Sequence, residues 1–215
     1  MTFTPSAEQA YDILRSLGNF QWYVIPLIVI LIYVYSVEVR KKNWNRVILA
    51  IGFVAGEFIW EMTNALICYF SGYSGLWVTP ADTAFLILVG LTIEIMFFFA
   101  LVPFIIFNFL DAFDKKQTFS IFGRRVSNRT IIPLILGVAC VFVEVLLNQW
   151  GALVWDWPFW NWPMIPLILI AYTLPMYFIT WVYDKENLRI KIKATILIII
   201  AAIVLFIVFS QLGWV

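Results

Sequence analysis

Ala194–Trp214 reads ATILIIIAAIVLFIVFSQLGW, twenty-one residues without a single charge. At about 1.5 Å of rise per residue, such a helix crosses a bilayer core roughly 30 Å thick. Working outward from it, five further stretches are apolar enough to span: roughly 20–39, 47–70, 83–110, 130–150 and 163–183. The third is the longest and the fifth contains Pro166 and Pro175, so tilt or a kink is expected in both.

The whole chain agrees with this reading. It has 215 residues, 63% hydrophobic and 13% charged, with a mean hydropathy of +0.93, against roughly 45–50% apolar usage in soluble domains. The expected fold is all-α: a polytopic transmembrane helical bundle of about six spans, one domain over 1–215, with a short N-terminal interfacial helix. Met1–Asn19 holds Glu8, Asp12 and Arg15 and lacks an apolar core followed by a cleavage site, so it is not read as a signal peptide. Ser6-Ala7-Glu8-Gln9 reads as a capping box opening a helix with Ala10, Ile13, Leu14 and Leu17 on one side, lying along the membrane surface.

Basic residues set the orientation. Arg40, Lys41, Lys42 and Arg46 follow the first span; Lys115, Lys116, Arg124, Arg125 and Arg129 follow the third; Lys185, Arg189, Lys191 and Lys193 follow the fifth. All lie in alternate connections, and none is expected inside a span. Positive charge stays on the cytoplasmic side, which puts both termini outside, in a cell membrane. Loops 71–82 and 151–162 then face outward, and eight of the eleven tryptophans gather at that boundary. An interfacial aromatic belt accounts for them; a lidded binding site is the second reading.

Composition also excludes chemistry. Fourteen basic and thirteen acidic residues leave a net charge of +1, which gives nucleic acid no cationic face. There is no histidine, and Cys68 and Cys140 sit in separate apolar stretches, so no metal site, redox pair or other cofactor is expected. The two cysteines are expected to be small buried groups rather than a disulfide.

The remaining signal is acidic. Glu57 and Glu61 lie in the second expected span, Glu94 in the third and Glu144 in the fourth, and each is costly in lipid. Glu57, Glu61 and Asn64 fall at i, i+4 and i+7, while Glu144 and Asn148 repeat the i, i+4 step, so two polar stripes can face each other. Counted from Arg46 and Arg129, Glu61 and Glu144 share a level; Glu94 is expected near mid-membrane beside Glu57. A loose echo relates the second-to-third and fourth-to-fifth helix units, the second containing Trp155-Asp156-Trp157-Pro158 where the first has Trp77-Val78-Thr79-Pro80. A buried polar pocket opening beneath the tryptophan loops is expected. At least one crowded acid there would be neutral and able to donate a proton, with aromatic faces to stabilise a cation.

Gly90-Leu91-Thr92-Ile93-Glu94-Ile95-Met96-Phe97-Phe98, following Trp77, resembles the membrane lycopene-cyclase domain, in which a Pro-x-Glu-Glu segment precedes paired phenylalanines. The acids beneath aromatic loops are also similar to the related carotenoid hydratases. The resemblance implies acid-initiated chemistry on a polyene end group without redox, with Glu94 as the matching acid. Thr92 stands at the motif's proline and Ile95 at its second acid.

Together these readings point to an enzyme acting by proton transfer on an isoprenoid, carotenoid or other lipid. Glu61, Glu94 and Glu144 would be catalytic; Glu57, Asn64, Asn148, Trp77, Trp155 and Trp157 would bind substrate. A small proton-coupled transporter or channel using the same carboxylates, and a non-catalytic membrane scaffold or subunit, are the alternatives. Association into a homo-oligomer stays open.

Overall fold

A computed structural model describes residues 2–18 and 20–215. Its elements in chain order are α1 (Pro5–Ile13), α2 (Val24–Arg40), α3 (Trp44–Ser71), the strand pair β1 (Leu86–Leu88) and β2 (Leu91–Thr92), α4 (Ile93–Asp111), a second pair β3 (Thr118–Ile121) and β4 (Arg124–Ser127), α5 (Asn128–Gln149), a 3-10 turn at Pro158–Trp160, α6 (Ile165–Tyr183) and α7 (Leu188–Gln211). The five helices from α3 to α7 are each long and apolar enough to cross a membrane. At 17 residues, α2 stands at the lower limit for a span. The chain is thus an all-α helical membrane bundle. Its exterior suits lipid, since α7 turns Ile196, Leu197, Ile200, Ile203 and Val204 outward, a continuous apolar face that a water-soluble monomer rarely shows.

α3 is the central helix, packed against α4 and α7, while α5 pairs with α6 and α2 leans on α4. Where α5 meets α6 the backbones come close, because Gly137 faces Thr173 with no space for a further carbon: a Cβ there would lie 2.3 Å from the Thr173 methyl. Small residues at crossing points are how helices in lipid gain packing contacts.

Charged pairs tie the basic end together. Arg46, in the first turn of α3, bonds Glu38 of α2 at 3.3 Å, Asn108 of α4 at 2.9 Å and also Asp111. The Tyr183 hydroxyl donates to the same Asp111 at 2.9 Å, and Arg129 of α5 reaches Asp184 at 3.2 Å. Between α4 and α5 the basic connection is folded rather than loose: β3 and β4 form a hairpin turning at Phe122 and Gly123, both in the left-handed region with φ of 49° and 75°.

At the tryptophan end the connections lock onto one another. Val78 and Val154, from the two aromatic loops, exchange backbone hydrogen bonds of 3.0 and 2.8 Å. Asp156 Oδ2 accepts from the hydroxyls of Thr4 at 2.7 Å, Ser6 at 2.5 Å and Ser74 at 2.7 Å. The short N-terminal helix is thereby fastened into this cap. Its Ala7 and Ala10 are fully buried against Met62, Ala65 and Cys68. Its cap is Thr4, whose hydroxyl accepts from the Ala7 N–H, and not Ser6, because the helix begins at Pro5 and the serine already lies inside its first turn.

Two expectations about the spans and loops are corrected. Residues 83–92 are not the first third of a long span: β1 and β2 pair there, with Leu86 opposite Thr92 and Leu88 opposite Leu91. Thr92 then caps α4 by accepting from the Ile95 N–H, so the helix begins only at Ile93. Non-helical backbone at membrane depth must find partners inside the protein. Arg15 supplies two, its N–H to the Leu86 carbonyl at 2.9 Å and its Nε to Ile87 at 3.2 Å, and Thr79 N–H meets Val89 at 2.9 Å. The second correction is Lys191, which is not in a loop but in the first turn of α7, only 3% exposed.

Candidate functional site

Two helix carboxylates are held by the same device. Glu61, on α3 and 3% exposed, accepts the Trp77 indole N–H on both oxygens at 3.2 and 3.1 Å. Trp77 comes from the loop that follows α3. One turn beyond the acid, Asn64 fixes that loop: its Nδ2 donates to the Trp77 carbonyl at 2.8 Å, and its Oδ1 accepts the Leu76 N–H at 2.6 Å. On α5, Glu144 is also 3% exposed and accepts the Trp155 indole N–H at 3.4 Å. Here Asn148 holds the loop through the Leu153 carbonyl at 3.1 Å, and Asn161 holds Trp155 from the far side at 2.8 Å. The echo seen in the sequence thus has a geometric counterpart, acid, amide one turn on, then indole, with Val78 and Val154 bonded where the two loops meet.

The fit around Trp77 is tight. A Cβ on Gly90 would fall 2.6 Å from the Trp77 Nε1 and 2.5 Å from the Asn64 Nδ2. Glycine here is a requirement of clearance, since any side chain would push the indole off the carboxylate.

Beneath these indoles lies a chamber lined by Glu57, Glu61, Trp60, Trp77, Phe99, Trp160, Tyr172 and their neighbours. Trp77 has ring neighbours on two sides, Trp160 at 5.9 Å and Trp60 at 6.2 Å. The chamber encloses about 20 Å³, space for one water and no more. Glu144 adjoins it through Tyr172 and keeps one oxygen, Oε2, without a hydrogen-bond partner. Trp160 Nε1 is likewise unpartnered. Glu57 is half-buried and receives no hydrogen bond from any described residue.

The chamber does not open beneath the loops as the sequence suggests. Trp77, Trp155 and Trp160 are 7, 4 and 6% exposed; by donating to the acids or packing over them, the indoles close that end. Phe53, Glu57, Trp60 and Pro175 also line a second, larger groove of about 330 Å³ between α3, α6 and α7. Glu57 therefore stands in the wall shared by a small polar chamber and an apolar groove on the lipid-facing side.

Not every expected residue joins the site. Glu94 is at the tryptophan end of α4, in its first turn, because the ten residues before α4 are not helical. It accepts from the Thr83 hydroxyl at 2.6 Å, the Ala84 N–H at 2.8 Å and the Tyr23 hydroxyl, so it joins the start of α2 to the start of α4. Trp157 donates to the Ser74 carbonyl at 2.9 Å and packs on Tyr73, away from the acids. Asn64 and Asn148 bond loop backbone. Conversely, Tyr172, Trp60 and Trp160 were not singled out from sequence. Tyr172 carried a usable signal, a hydroxyl in mid-span three residues before Pro175; Trp60 and Trp160 were hidden among many aromatics.

Comparison with known proteins places this geometry in a family context. The model of a family described as "Uncharacterized membrane protein family" matches residues 4–211. A protein of Archaeoglobus fulgidus, described as "Uncharacterized protein", is 37% identical over 210 residues, covering 97% of each chain. No solved structure matches. Neither match carries the likeness to lycopene cyclases.

Proposed function

The chain belongs to that uncharacterized membrane protein family, and from this premise we propose that it is a membrane-embedded enzyme acting by proton transfer on an isoprenoid or similar lipid, with Glu57 and Glu61 as the acid/base pair. One observation carries the reading: Glu57, without a hydrogen bond from any described residue, sits in the wall between the carboxylate chamber and a lipid-side groove. The chamber is too small for a lipid, so a guest meets the acids from the groove, and Glu57 is the acid it meets.

The chemistry suited to this pair is a double-bond shift. The Glu57 carboxyl gives its proton to one alkene carbon; the π electrons form the new C–H bond and leave positive charge on the neighbouring carbon. Trp60 and Phe53 ring faces beside the groove favour that charge. Glu61, on the same helix face one turn along, then takes a proton from the adjacent carbon through the one water the chamber can hold. A double bond reforms one position away, and the same route returns the proton to Glu57. No oxidant, reductant or water is consumed. Trp77 donating to both oxygens of Glu61 suits it to the acceptor's role. Glu144 and Tyr172 extend the polar network behind it, while Glu94 is left out because its oxygens are occupied elsewhere.

A proton-coupled carrier using the same acids would need access from both faces. The three buried indoles close one of them, which favours the enzyme reading. Incubating the purified protein in D2O with an isoprenoid extract of its native membranes tests it. Deuterium should enter an allylic or vinylic position of one extracted component, and Glu57→Gln and Glu61→Gln should each abolish the incorporation. Equal incorporation by wild type and both variants would sink the proposal.

A further inference from the structure

The groove between α3, α6 and α7 has a charged end. Lys191, in the first turn of α7, lines it at the basic end of the bundle, while Glu57 and Trp60 line it toward mid-span. Between them the walls are almost wholly apolar, and Gly56 of α3 leaves the space open, since a Cβ there would meet nothing within 4 Å, while Gly52 packs close against Thr195 of α7. A volume of about 330 Å³ is at the small end of ligand sites, enough for a single chain.

Lys191 is a buried cation with no carboxylate in contact among the described residues; Asp184, whose charge reaches it, is bonded instead to Arg129 and Lys115. Its ammonium donates to the Asn45 Oδ1 at 2.7 Å and to the Tyr183 carbonyl at 2.9 Å, both neutral acceptors. The ammonium has three N–H donors, so one is left over, and among the described residues no carboxylate lies within ion-pair distance of it. An unpaired charge in a low-dielectric site is expensive. Asn45 and Tyr183 hold the side chain in place without neutralising it, and snorkelling toward water is not used, since the residue is only 3% exposed.

We infer that this groove binds an amphiphile carrying one negative charge, its carboxylate or phosphodiester head on Lys191 and one apolar chain running along α3 to Glu57. A single cation matches a singly charged head; a pyrophosphate would leave most of its charge unmatched. The inference deepens the function proposed above and rests on it for the claim that the chain's far end is where reaction occurs. Binding itself is independent of the chemistry.

Native mass spectrometry of the detergent-purified protein with added oleate, dioleoyl phosphatidylglycerol or octadecanol tests it. Oleate or phosphatidylglycerol should bind at one per chain and compete with each other, and the tighter of the two identifies the head. Octadecanol, which has the chain but no charge, should bind far more weakly. Lys191→Met should weaken the anionic ligands roughly 30-fold or more, the usual scale for losing one partner of a desolvated pair, with Lys191→Arg recovering most of it. Gly56→Leu, which fills the groove and leaves the lysine intact, should also block binding, so a folding defect at Lys191 does not leave the question open. Glu61→Gln, outside the groove lining, should bind oleate as wild type does even while deuterium incorporation is lost, which separates failure of the site from failure of the chemistry. Octadecanol binding as tightly as oleate, or Lys191→Met and Gly56→Leu both binding normally, would overturn the inference.

Discussion

At the scale of single residues, the site depends on clearance as much as on acidity. Gly90 and Asn64 bracket Trp77 so closely that the indole has one position, and that position delivers its N–H to Glu61. Gly90→Ala should therefore act on a residue it does not bond. The added methyl displaces the indole and leaves a buried carboxylate without its donor, a cost of about 1–3 kcal/mol. The expected result is a lower unfolding temperature with a red-shifted tryptophan emission, and loss of deuterium incorporation; Trp77→Phe should match the chemical loss while keeping the packing. Wild-type behaviour of Gly90→Ala would contradict the geometry. Glu61, Asn64, Glu144, Asn148, Trp77 and Trp155 were all legible in the sequence, because helical spacing marks a stripe whatever surrounds it. Their roles were less so. Helical spacing does not distinguish an amide that binds a guest from one that fastens a loop, and the indoles read as a lid are the plugs of the chamber.

At the scale of elements, the contrast between 83–92 and the helices around it explains the misplacement of Glu94. Phe85-Leu86-Ile87-Leu88-Val89 is as apolar as any span and has no period that separates buried strand from helix. Only Gly90 and the cap at Thr92 announce the break. Helix pairs carry a clearer signature once their facing residues are known. Gly137 and Thr173 bring α5 against α6, the same two helices that present Glu144 and Tyr172 to the chamber. Gly137→Ala should drive them apart and destabilise the protein by about 1–3 kcal/mol, the usual result of overpacking. Thr173→Ser removes the obstructing methyl, so the double variant should recover most of the loss in thermal unfolding measured in one detergent. A double variant no better than Gly137→Ala alone would show that the clash is not at this crossing.

At the scale of the whole molecule, the charge distribution that ordered the loops in the sequence orders the ends of the bundle in space. Arg46, Arg129, Lys115 and Lys191 meet Glu38, Asp111, Asp184 and Tyr183 at one end, and the tryptophan cap closes the other. What charge cannot specify is where a guest enters, since that depends on the spacing of α3, α6 and α7, set by Gly52, Gly56 and Pro175. The basic end should face the cytoplasm, which would put Lys191 at the level of inner-leaflet headgroups and have a lipid approach from that leaflet. Single-cysteine variants with Cys68 and Cys140 replaced by Ala report this directly in intact cells. A cysteine at Phe122, at the exposed hairpin tip, should resist an impermeant maleimide until the membrane is opened, while one at Trp162, exposed beyond the cap, should react at once. The reverse pattern would move the lysine to the outer leaflet: the groove could still bind an anionic amphiphile, but its supply would have to come from outside the cell, and a substrate made in the cytoplasmic leaflet would no longer fit the site.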